Sequence, residues 1–566
     1  MKKYLLFLAL ILITSPAFAA LNGATNWEMR QAGADTNGGG FTLGVSSIAS
    51  RTDLAVDAAD NTKVTSAAEV FDSGDVGRWI QITAGSGFTT GYYQILAVDG
   101  SNIATLNASP AATSTTGGSF SIYRGLDYSQ QDAVNPNGGS NGSSVVAVTA
   151  GTTTLTCADC SFTQDIVGNV VYLEGGTGTI TAQRRAITAY TNATTVTIDA
   201  SVAASTGMTL NIGGALGSLD EVFGTRGIVA SNIIWWKSDT GLTTATAISS
   251  SIGGGQLKGY DTTRGDLDQS IYSTNRPKLT FTGTSVYALT LSSGTWQLRN
   301  FIIDVDSSSG SSGINTTSSV PFIYNVTVDN YDNIGLTLAG SGLGLYGEIT
   351  GGTSNATFGI SAVNSAIIFG SYVHDGAGVG IKGASIAIME NNIVANQSGA
   401  TSDCYQMTGP VNNPPMIKNN TAYNCGRNGI GILGVSTPTI MIGNIMVNNA
   451  AYGLSVSSTS VTVPYQDSNA FYNNTSGNKQ NVTSRASQGS ANPPYLPAND
   501  VTLSGDPFTN AAGGDFSLNN TAGAGASLRN SSVPRAWGTT TTGYPDFGAV
   551  QHQDPGATIV YPNYAY

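Results

Sequence analysis

Few side chains in this sequence could take part in acid–base chemistry. Its 566 residues include 23 basic residues, 35 acidic residues and two histidines. One histidine, His374, directly precedes Asp375, and an imidazole beside a carboxylate can exchange a proton near neutral pH. We therefore take His374 as a candidate general base. An exposed histidine that only hydrogen-bonds a neighbour is the structural alternative.

The elements that must position such residues repeat along the second half of the chain. Five-residue runs, most of which begin with Asn and end with Asn or Asp, recur at steps of 21 to 28 residues. A recurring period of this size predicts a coil of parallel strands, whereas an antiparallel sandwich would show hairpin turns without a fixed period. A second repeat of Gly followed by Ile or Leu lies nine residues after the start of three runs. The runs are Asn300–Asp304, Asn325–Asp329, Gly347–Gly351, Ser371–Asp375, Asn392–Asn396, Asn420–Asn424, Asn444–Asn448 and Asn469–Asn473.

The pattern within each run predicts which side chains face the core. The central residue is apolar in seven of the eight runs, so we expect it to point inwards and its neighbours outwards. The closing Asn or Asp tolerates a left-handed conformation and suits a corner. Asn side chains of successive laps could also bond one another. The central residues are Ile302, Thr327, Ile349, Val373, Val394, Ala422, Met446 and Phe471.

This pattern places polar residues on the outer wall of the coil. Glu348, Tyr372, His374 and Tyr423 take outward positions, and Asp375 takes the corner. Glu348 is expected one lap, about 4.8 Å, below His374.

A second group of charged residues follows the corner. The turn at 397–403 has additional residues, and Arg427 occupies the equivalent turn of the next lap. Asp375, Lys382, Asp403 and Arg427 could therefore converge. Separate, solvated charges are the alternative.

The phrases Asn419-Asn-Thr-Ala-Tyr-Asn424 and Gly429-Ile-Gly-Ile432 resemble those of right-handed parallel β-helix proteins, the pectate-lyase-like fold. The segments Asp506–Asn510, Gly514–Leu518 and Asp546–Val550 resemble the closing region of many exported members. The likeness extends over residues 215–552 and implies an all-β, right-handed parallel β-helix.

Enzymes of this family hold polysaccharide in a groove on an outer wall. Carboxylates bind calcium or act as acid and base, and a Lys or Arg removes a proton beside a uronate carboxylate. The resemblance therefore implies an extracellular polysaccharide partner, calcium as an optional cofactor, and lyase or glycoside hydrolase activity. Adhesins and structural coats share the fold, so a non-enzymatic surface protein remains open. The implied catalytic residues are His374, Arg427, Asp403 and Lys382, and the implied substrate-binding residues are Glu348, Tyr372, Tyr423 and Asp375.

An internal duplication precedes the repeat. Phe71–Gly77 aligns with Phe162–Gly168 at an offset of 91 residues, and Trp79–Ile82 aligns with Val170–Leu173. Each copy alternates β-rich runs with Gly, Ser and Thr turns. This pattern predicts two compact antiparallel modules.

The four cysteines favour disulfides over thiol chemistry. Cys157 and Cys160 occur in the second module only, and their Thr-rich surroundings lack the helix of a redox motif, so we expect a local bridge. Cys404 and Cys425 lie on adjacent laps and could join the turn to the wall.

Composition and the N-terminus limit the compartment and the partners. The 71 glycines and a charged content of 10% exclude charged helical bundles, and 40% apolar content excludes disorder. A net charge of −12 leaves no general attraction to nucleic acid. Lys2 and Lys3, followed by the apolar residues 4–13, predict a signal peptide cleaved after Ala19. No later apolar run approaches a membrane span of about 20 residues, so we expect a secreted, periplasmic or cell-surface protein.

The sequence thus predicts six segments and leaves the oligomeric state open. They are a signal peptide at 1–19, an N-terminal strand or cap at 20–50, modules at 51–125 and 141–214, the parallel β-helix at 215–475, and its closing region at 476–566.

Overall fold

The fold was analysed in a computed structural model. The predicted signal peptide lies outside the described residues. The structure describes residues 25–99, 103–130, 146–148, 152–158, 160–178, 180–224, 228, 232–239, 241–250, 253–268, 270, 273–292, 294–306, 310–316, 321–338, 342–363, 366–384, 388–408, 415–433, 439–457, 465–481, 499–529 and 546–550.

The chain forms two compact units. The first consists of Met1–Asn26, Ala34–Leu216 and Thr225–Val229. The second consists of Trp27–Gly33, Gly217–Gly224 and Ala230–Tyr566. Strands Thr25–Met29 and Gly40–Thr42 precede the repeated modules.

The first unit contains two closed antiparallel barrels of six strands each. In both barrels the strands, numbered along the chain, follow the order 1-2-5-4-3-6. A short 3-10 helix precedes the third strand, at Ser73–Asp75 in one copy and at Gln164–Ile166 in the other. The identical order confirms the duplication. The strands are Ser47–Val56, Lys63–Thr65, Trp79–Ala84, Gly91–Val98, Ala104–Leu106 and Thr116–Tyr123, then Val146–Val148, Thr154–Cys157, Val170–Gly175, Ile180–Asn192, Thr195–Ile198 and Ser205–Ile212.

One turn is closed differently in the two barrels. Cys157 and Cys160 form the predicted local disulfide in the second barrel. At the aligned turn of the first barrel, the backbone N–H of Glu69 donates to Ser66 Oγ at 3.0 Å. The second barrel therefore closes this turn with a disulfide, whereas the first barrel closes the aligned turn with a hydrogen bond.

The second unit is a parallel β-solenoid with three faces. Two long strands, Thr295–Val305 and Phe322–Asp329, contribute to both face 1 and face 2. Face 1 also contains Ile233–Lys237, Gly254–Tyr260, Leu343–Leu345, Ile367–Phe369, Ile388–Glu390, Met416–Lys418, Ile440–Ile442 and Tyr465–Asp467. Face 2 also contains Leu242–Thr244, Lys278–Phe281, Glu348–Thr350, Tyr372–His374, Ile393–Ala395, Thr421–Tyr423, Ile445–Val447, Ala470–Tyr472 and Val501–Thr502. Face 3 contains Ile248–Ser250, Tyr287–Leu291, Ser312–Thr316, Ile334–Leu338, Phe358–Val363, Val379–Ala384, Tyr405–Thr408, Ile430–Leu433, Tyr452–Ser457 and Gly477–Gln480.

Helical and antiparallel elements are few in this unit. The α-helix Leu219–Phe223 begins where the Ser218 side chain accepts a bond from the backbone N–H of Glu221. Beyond the solenoid, Phe508–Asn510 pairs with Asp515–Leu518 as an antiparallel hairpin. The other 3-10 helices among the described residues are Tyr128–Gln130 in the first unit, and Ala511–Gly513 and Gly525–Leu528 in the second.

A buried asparagine ladder fixes the corner between face 1 and face 2. The Nδ2 of Asn392 donates to Asn420 Oδ1 at 3.0 Å, and Asn420 donates likewise to Asn444 at 3.2 Å. Asn444 continues the ladder to Asn469 at 2.9 Å. Successive laps are therefore stacked at this corner, as the repeat predicted.

The predicted register is wrong in the first two runs. Ile303 and Val328 are the buried residues that align with Ile349, whereas Ile302 and Thr327 align with the outward Glu348. The reason lies at the start of those runs. Asn300 and Asn325 have φ of 60° and 52° and are left-handed corner residues. They correspond to Asn391 rather than to the ladder residue Asn392, which shifts the side-chain alternation by one position.

Candidate functional site

His374 is the centre of a polar cluster on the outer side of face 2. Its Nδ1 lies 2.7 Å from Asp375 Oδ2 and 3.2 Å from Thr350 Oγ1. Its Nε2 lies 3.6 Å from Glu348 Oε1. Glu348 lies on the lap below in register with Tyr372, whereas Thr350 is the residue directly below His374. Thr327 donates to the other oxygen of Glu348 at 2.9 Å. An imidazole between two carboxylates can store and release a proton.

The electrostatics of this cluster favour a protonated histidine. Partial burial lowers the pKa of His374, but the hydrogen bonds and charges of Glu348 and Asp375 outweigh it, so the pKa is raised above 6.5. The neighbouring His374 lowers the pKa of Glu348. The ring of Tyr372 stacks on His374 with centroids 4.0 Å apart. Burial, with Asp375 and Glu348 nearby, raises the Tyr372 pKa to about 12.

The C-terminal segment packs over the neighbouring laps of face 2. Phe516 contacts the ring of Tyr372 at 6.1 Å and that of Tyr423 at 5.6 Å, and Phe508 contacts Tyr423 at 6.1 Å. Tyr423 was predicted from the sequence as a sugar contact on an open wall. Its ring is instead part of a hydrophobic cluster under the hairpin.

Asp403 and Arg427 form the centre of a second cluster at the corner between face 2 and face 3. Arg427 Nε donates to Asp403 Oδ1 at 2.7 Å, and its Nη2 donates to Oδ2. Asn428 donates to Oδ1 through both its backbone and its side chain, and Gln406 donates to Oδ2 at 3.3 Å. Asp403 is fully buried, while the Arg427 side chain is 31% exposed. The carboxylate therefore anchors the guanidinium rather than reaching a ligand itself.

A groove of about 680 Å³ runs along this corner. Phe358, Thr357 and Gln406 line it together with Arg427. Lys382 Nζ lies 4.3 Å from the centroid of the Phe358 ring, and Lys382 is the register neighbour of Gln406 on face 3. Arg427 thus lines the groove, and a second cation, Lys382, lies over the ring of a lining residue. The negative charge that pairs with Arg427 is buried.

The groove continues into a polar row on the outer side of face 3. One residue per strand points outwards in register, and most of these residues carry a hydroxyl or an amide. The sequence analysis does not predict this row, although three of its residues come directly after the Gly-Ile or Gly-Leu pairs of the repeat. The row consists of Thr290, Asn315, Thr337, Ser361, Lys382, Gln406, Gly431, Ser455 and Gln480.

The predicted site residues form two groups, as the sequence indicates, but Asp375 belongs to the first group only. Asp375 bonds His374 and Asn396 and lines a smaller groove of about 490 Å³, next to the first along the same corner. No ion pair joins Asp375 to Lys382 or Arg427 in the described part of the chain. The expected convergence of these charges is thus wrong for Asp375. The reason is that this residue is the left-handed corner residue, with φ of 54°, and its side chain bonds along the corner.

The predicted disulfide between Cys404 and Cys425 is present. Both cysteines are buried, and their Cα atoms lie 5.6 Å apart on adjacent laps. Because Cys404 directly follows Asp403, the bridge lies next to the anchored arginine.

The described residues contain neither a cluster of metal ligands nor a membrane-spanning helix. No three side chains of His, Cys, Asp or Glu are grouped there so that they could hold a metal ion. None of the helices in that part of the chain has the length and apolar content needed to cross a membrane.

Comparisons with known proteins agree with the architecture. Residues 307–483 match the family described as right handed beta helix region. Among curated proteins, no match was found.

Solved structures with a similar fold include three polysaccharide-active enzymes. Pectate lyase Pel9A is 12% identical, with a TM-score of 0.35 over 60% of this chain and 92% of its own. The periplasmic alginate epimerase AlgG is 12% identical, with a TM-score of 0.26 over 44% and 74%. A GH87 alpha-1,3-glucanase from Streptomyces thermodiastaticus strain HF3-3 is 10% identical, with a TM-score of 0.27 over 60% and 85%. Scores this low carry no argument about activity. From the strand register and the family match, the second unit is a right-handed parallel β-helix.

Proposed function

We propose that this protein is exported and binds an acidic extracellular polysaccharide in the corner groove and along the polar row of face 3. The supporting observation is the pair of cations, Lys382 and Arg427, at a groove that opens onto hydroxyl and amide side chains. Sugar hydroxyls pair with such groups, and a uronate carboxylate pairs with a guanidinium. The outer surface of face 2 fits this ligand less well, because Glu348 and Asp375 would repel it.

We further propose that the bound polymer is cleaved by β-elimination. Arg427 would neutralise the uronate carboxylate, and Lys382 would act as the base that removes the proton on the adjacent carbon. The electron pair forms a carbon–carbon double bond as the bond to the glycosidic oxygen breaks, and that oxygen takes up a proton. The products are one fragment with an unsaturated sugar at its new non-reducing end and a second fragment with a new reducing end.

The test is an ultraviolet assay for the unsaturated product on pectate, alginate and glycosaminoglycans, with and without calcium. We expect Lys382→Met to lower kcat at least about a hundredfold while binding persists, because the base is lost and the groove is kept. Arg427→Met should mainly raise KM. Lys63→Met, which removes an exposed lysine of the first barrel, is the matched control. A flat trace on every polymer removes the lyase proposal.

Hydrolysis at His374 is a second candidate, which the Glu348–His374–Asp375 arrangement supports. A protonated imidazole could donate to the leaving glycosidic oxygen while a carboxylate activates water. This reaction would release reducing ends without ultraviolet absorbance, and His374→Asn would abolish it. Binding to insoluble glycans with neither product would instead favour a non-enzymatic surface protein.

A further inference from the structure

Face 1 carries a continuous apolar column on its outer side. Seven successive laps place a large apolar side chain at the same outward register position, and each is partly exposed. The column is about 29 Å long at the usual spacing of parallel strands. Its members are Phe322, Leu343, Ile367, Ile388, Met416, Ile440 and Tyr465.

The outer sides of the other two faces are either covered or polar. On face 2 the apolar outward residues Ile445, Val447 and Ala470 are buried under the C-terminal segment. On face 3 the outward row is polar. Within the described part of the chain, no strand or helix packs over the column of face 1. An uncovered apolar strip of this length is typical of a contact with another macromolecule.

We propose that face 1 binds a second copy of this chain in an antiparallel, two-fold arrangement. The five central side chains of the column are aliphatic, and they offer neither rings for stacking on sugars nor hydrogen-bonding groups. An identical face presents ridges with the same spacing, so the two columns can interdigitate along most of their length as packed sheets do.

Charges next to the two ends of the apolar column specify the antiparallel orientation. Arg299 lies seven laps before Asp467 in the neighbouring outward column. Its guanidinium lies over Phe322 and Tyr324, its buried Nε has no acceptor, and no described carboxylate pairs with it. No described cation pairs with Asp467. With the two-fold axis between the laps of Phe369 and Glu390, Arg299 meets Asp467 of the partner subunit at both ends.

The test is the mass of the full chain in solution, without glycan, measured by sedimentation and light scattering over a wide concentration range. We expect a monomer–dimer equilibrium in the micromolar range, because the strip is narrow compared with a standard interface. Ile388→Lys, next to the axis, should leave a folded monomer at all concentrations. Ser361→Lys, at an outward position on face 3, is the control and should dimerise normally. A wild-type monomer throughout, or a dimer that survives Ile388→Lys, would overturn the proposal.

A charge exchange tests the orientation. Asp467→Arg should weaken the dimer at least about tenfold by placing like charges together, and adding Arg299→Asp should restore it. Circular dichroism verifies that each variant is folded, and Met416→Lys replaces Ile388→Lys should the latter fail to fold. Folded variants without rescue would rule out the antiparallel arrangement.

Discussion

At the scale of single residues, His374 and Asp403 have opposite roles. His374 is partly exposed and titratable between two carboxylates. Asp403 is fully buried and accepts bonds from three residues. The first residue is titratable between two carboxylates, whereas the second holds Arg427 in place.

The pKa of His374 gives a direct prediction. The pKa of His374 in the folded protein is raised above 6.5, its ordinary value in the unfolded chain. Protonated His374 therefore stabilises the fold fully below pH 6.5, and this stabilisation is lost as the pH rises through the folded-state pKa. At acid pH the same stabilisation decreases when the Glu348 carboxylate becomes protonated, which occurs at its lowered pKa. NMR titration should show one imidazole with a raised pKa, absent in His374→Asn, with His552 as internal reference. An unshifted or lowered pKa at His374 would contradict the cluster.

Asp403 gives a second prediction. Asp403→Asn removes the charge that pairs with Arg427, and one side-chain oxygen that accepts hydrogen bonds becomes an NH2 group. We therefore expect the unfolding free energy to fall by about 3 kcal/mol. Urea denaturation of the variant measures this loss. Asp375→Asn changes a partly exposed carboxylate on the same corner and should cost much less. Equal effects of the two substitutions would argue against an anchoring role.

At the scale of elements, the asparagine ladder defines each lap. Asn420 donates to the carbonyl oxygens of Met389 and Lys418, and its own side-chain oxygen accepts from the backbone of Asn392. Asn420→Ala should therefore cost about 2 to 4 kcal/mol, because several buried backbone groups lose their partners. Asn424→Ala, at the exposed corner ladder, is the matched control. Hydrogen exchange should accelerate at adjacent laps in the first variant only.

The two disulfides should differ in their effect on stability. Cys404 and Cys425 close a loop of 21 residues, so their replacement by Ala should lower the unfolding free energy by about 3 kcal/mol. Replacing Cys157 and Cys160 by Ser should cost less, since the bridge closes a short turn that the first barrel maintains with a hydrogen bond. Thermal unfolding with and without reductant compares them. A larger loss at the short turn would contradict this reasoning.

The sequence predicted those elements in which the backbone geometry restricts the residue type at fixed positions. The ladder residues Asn392 and Asn420 and the Gly-Ile repeat of face 3 were recognisable, because corners and close packing restrict residue type. Face 1 was missed, because triplets such as Ile388–Glu390 have no diagnostic residue. The covering of Tyr423 was missed as well, since it depends on Phe508 and Phe516, which lie far away in the sequence.

At the scale of the whole molecule, the three faces of the β-helix have different surfaces. Face 2 is largely covered by the C-terminal segment, face 1 carries the apolar column, and face 3 is polar and borders the cationic groove. A ligand rich in hydroxyls and carboxylates matches only the last of these. The proposed glycan site and the proposed dimer contact therefore lie on separate faces and can be tested independently.

The most direct test of the polysaccharide proposal is a crystal structure of the Lys382→Met variant with an oligosaccharide of an acidic glycan that the wild-type protein binds. We predict sugar density along face 3, with a carboxylate at Arg427 and neighbouring rings against Gln406 and Ser361. Density confined to the His374 side of face 2, or at no site on the β-helix, would contradict the account.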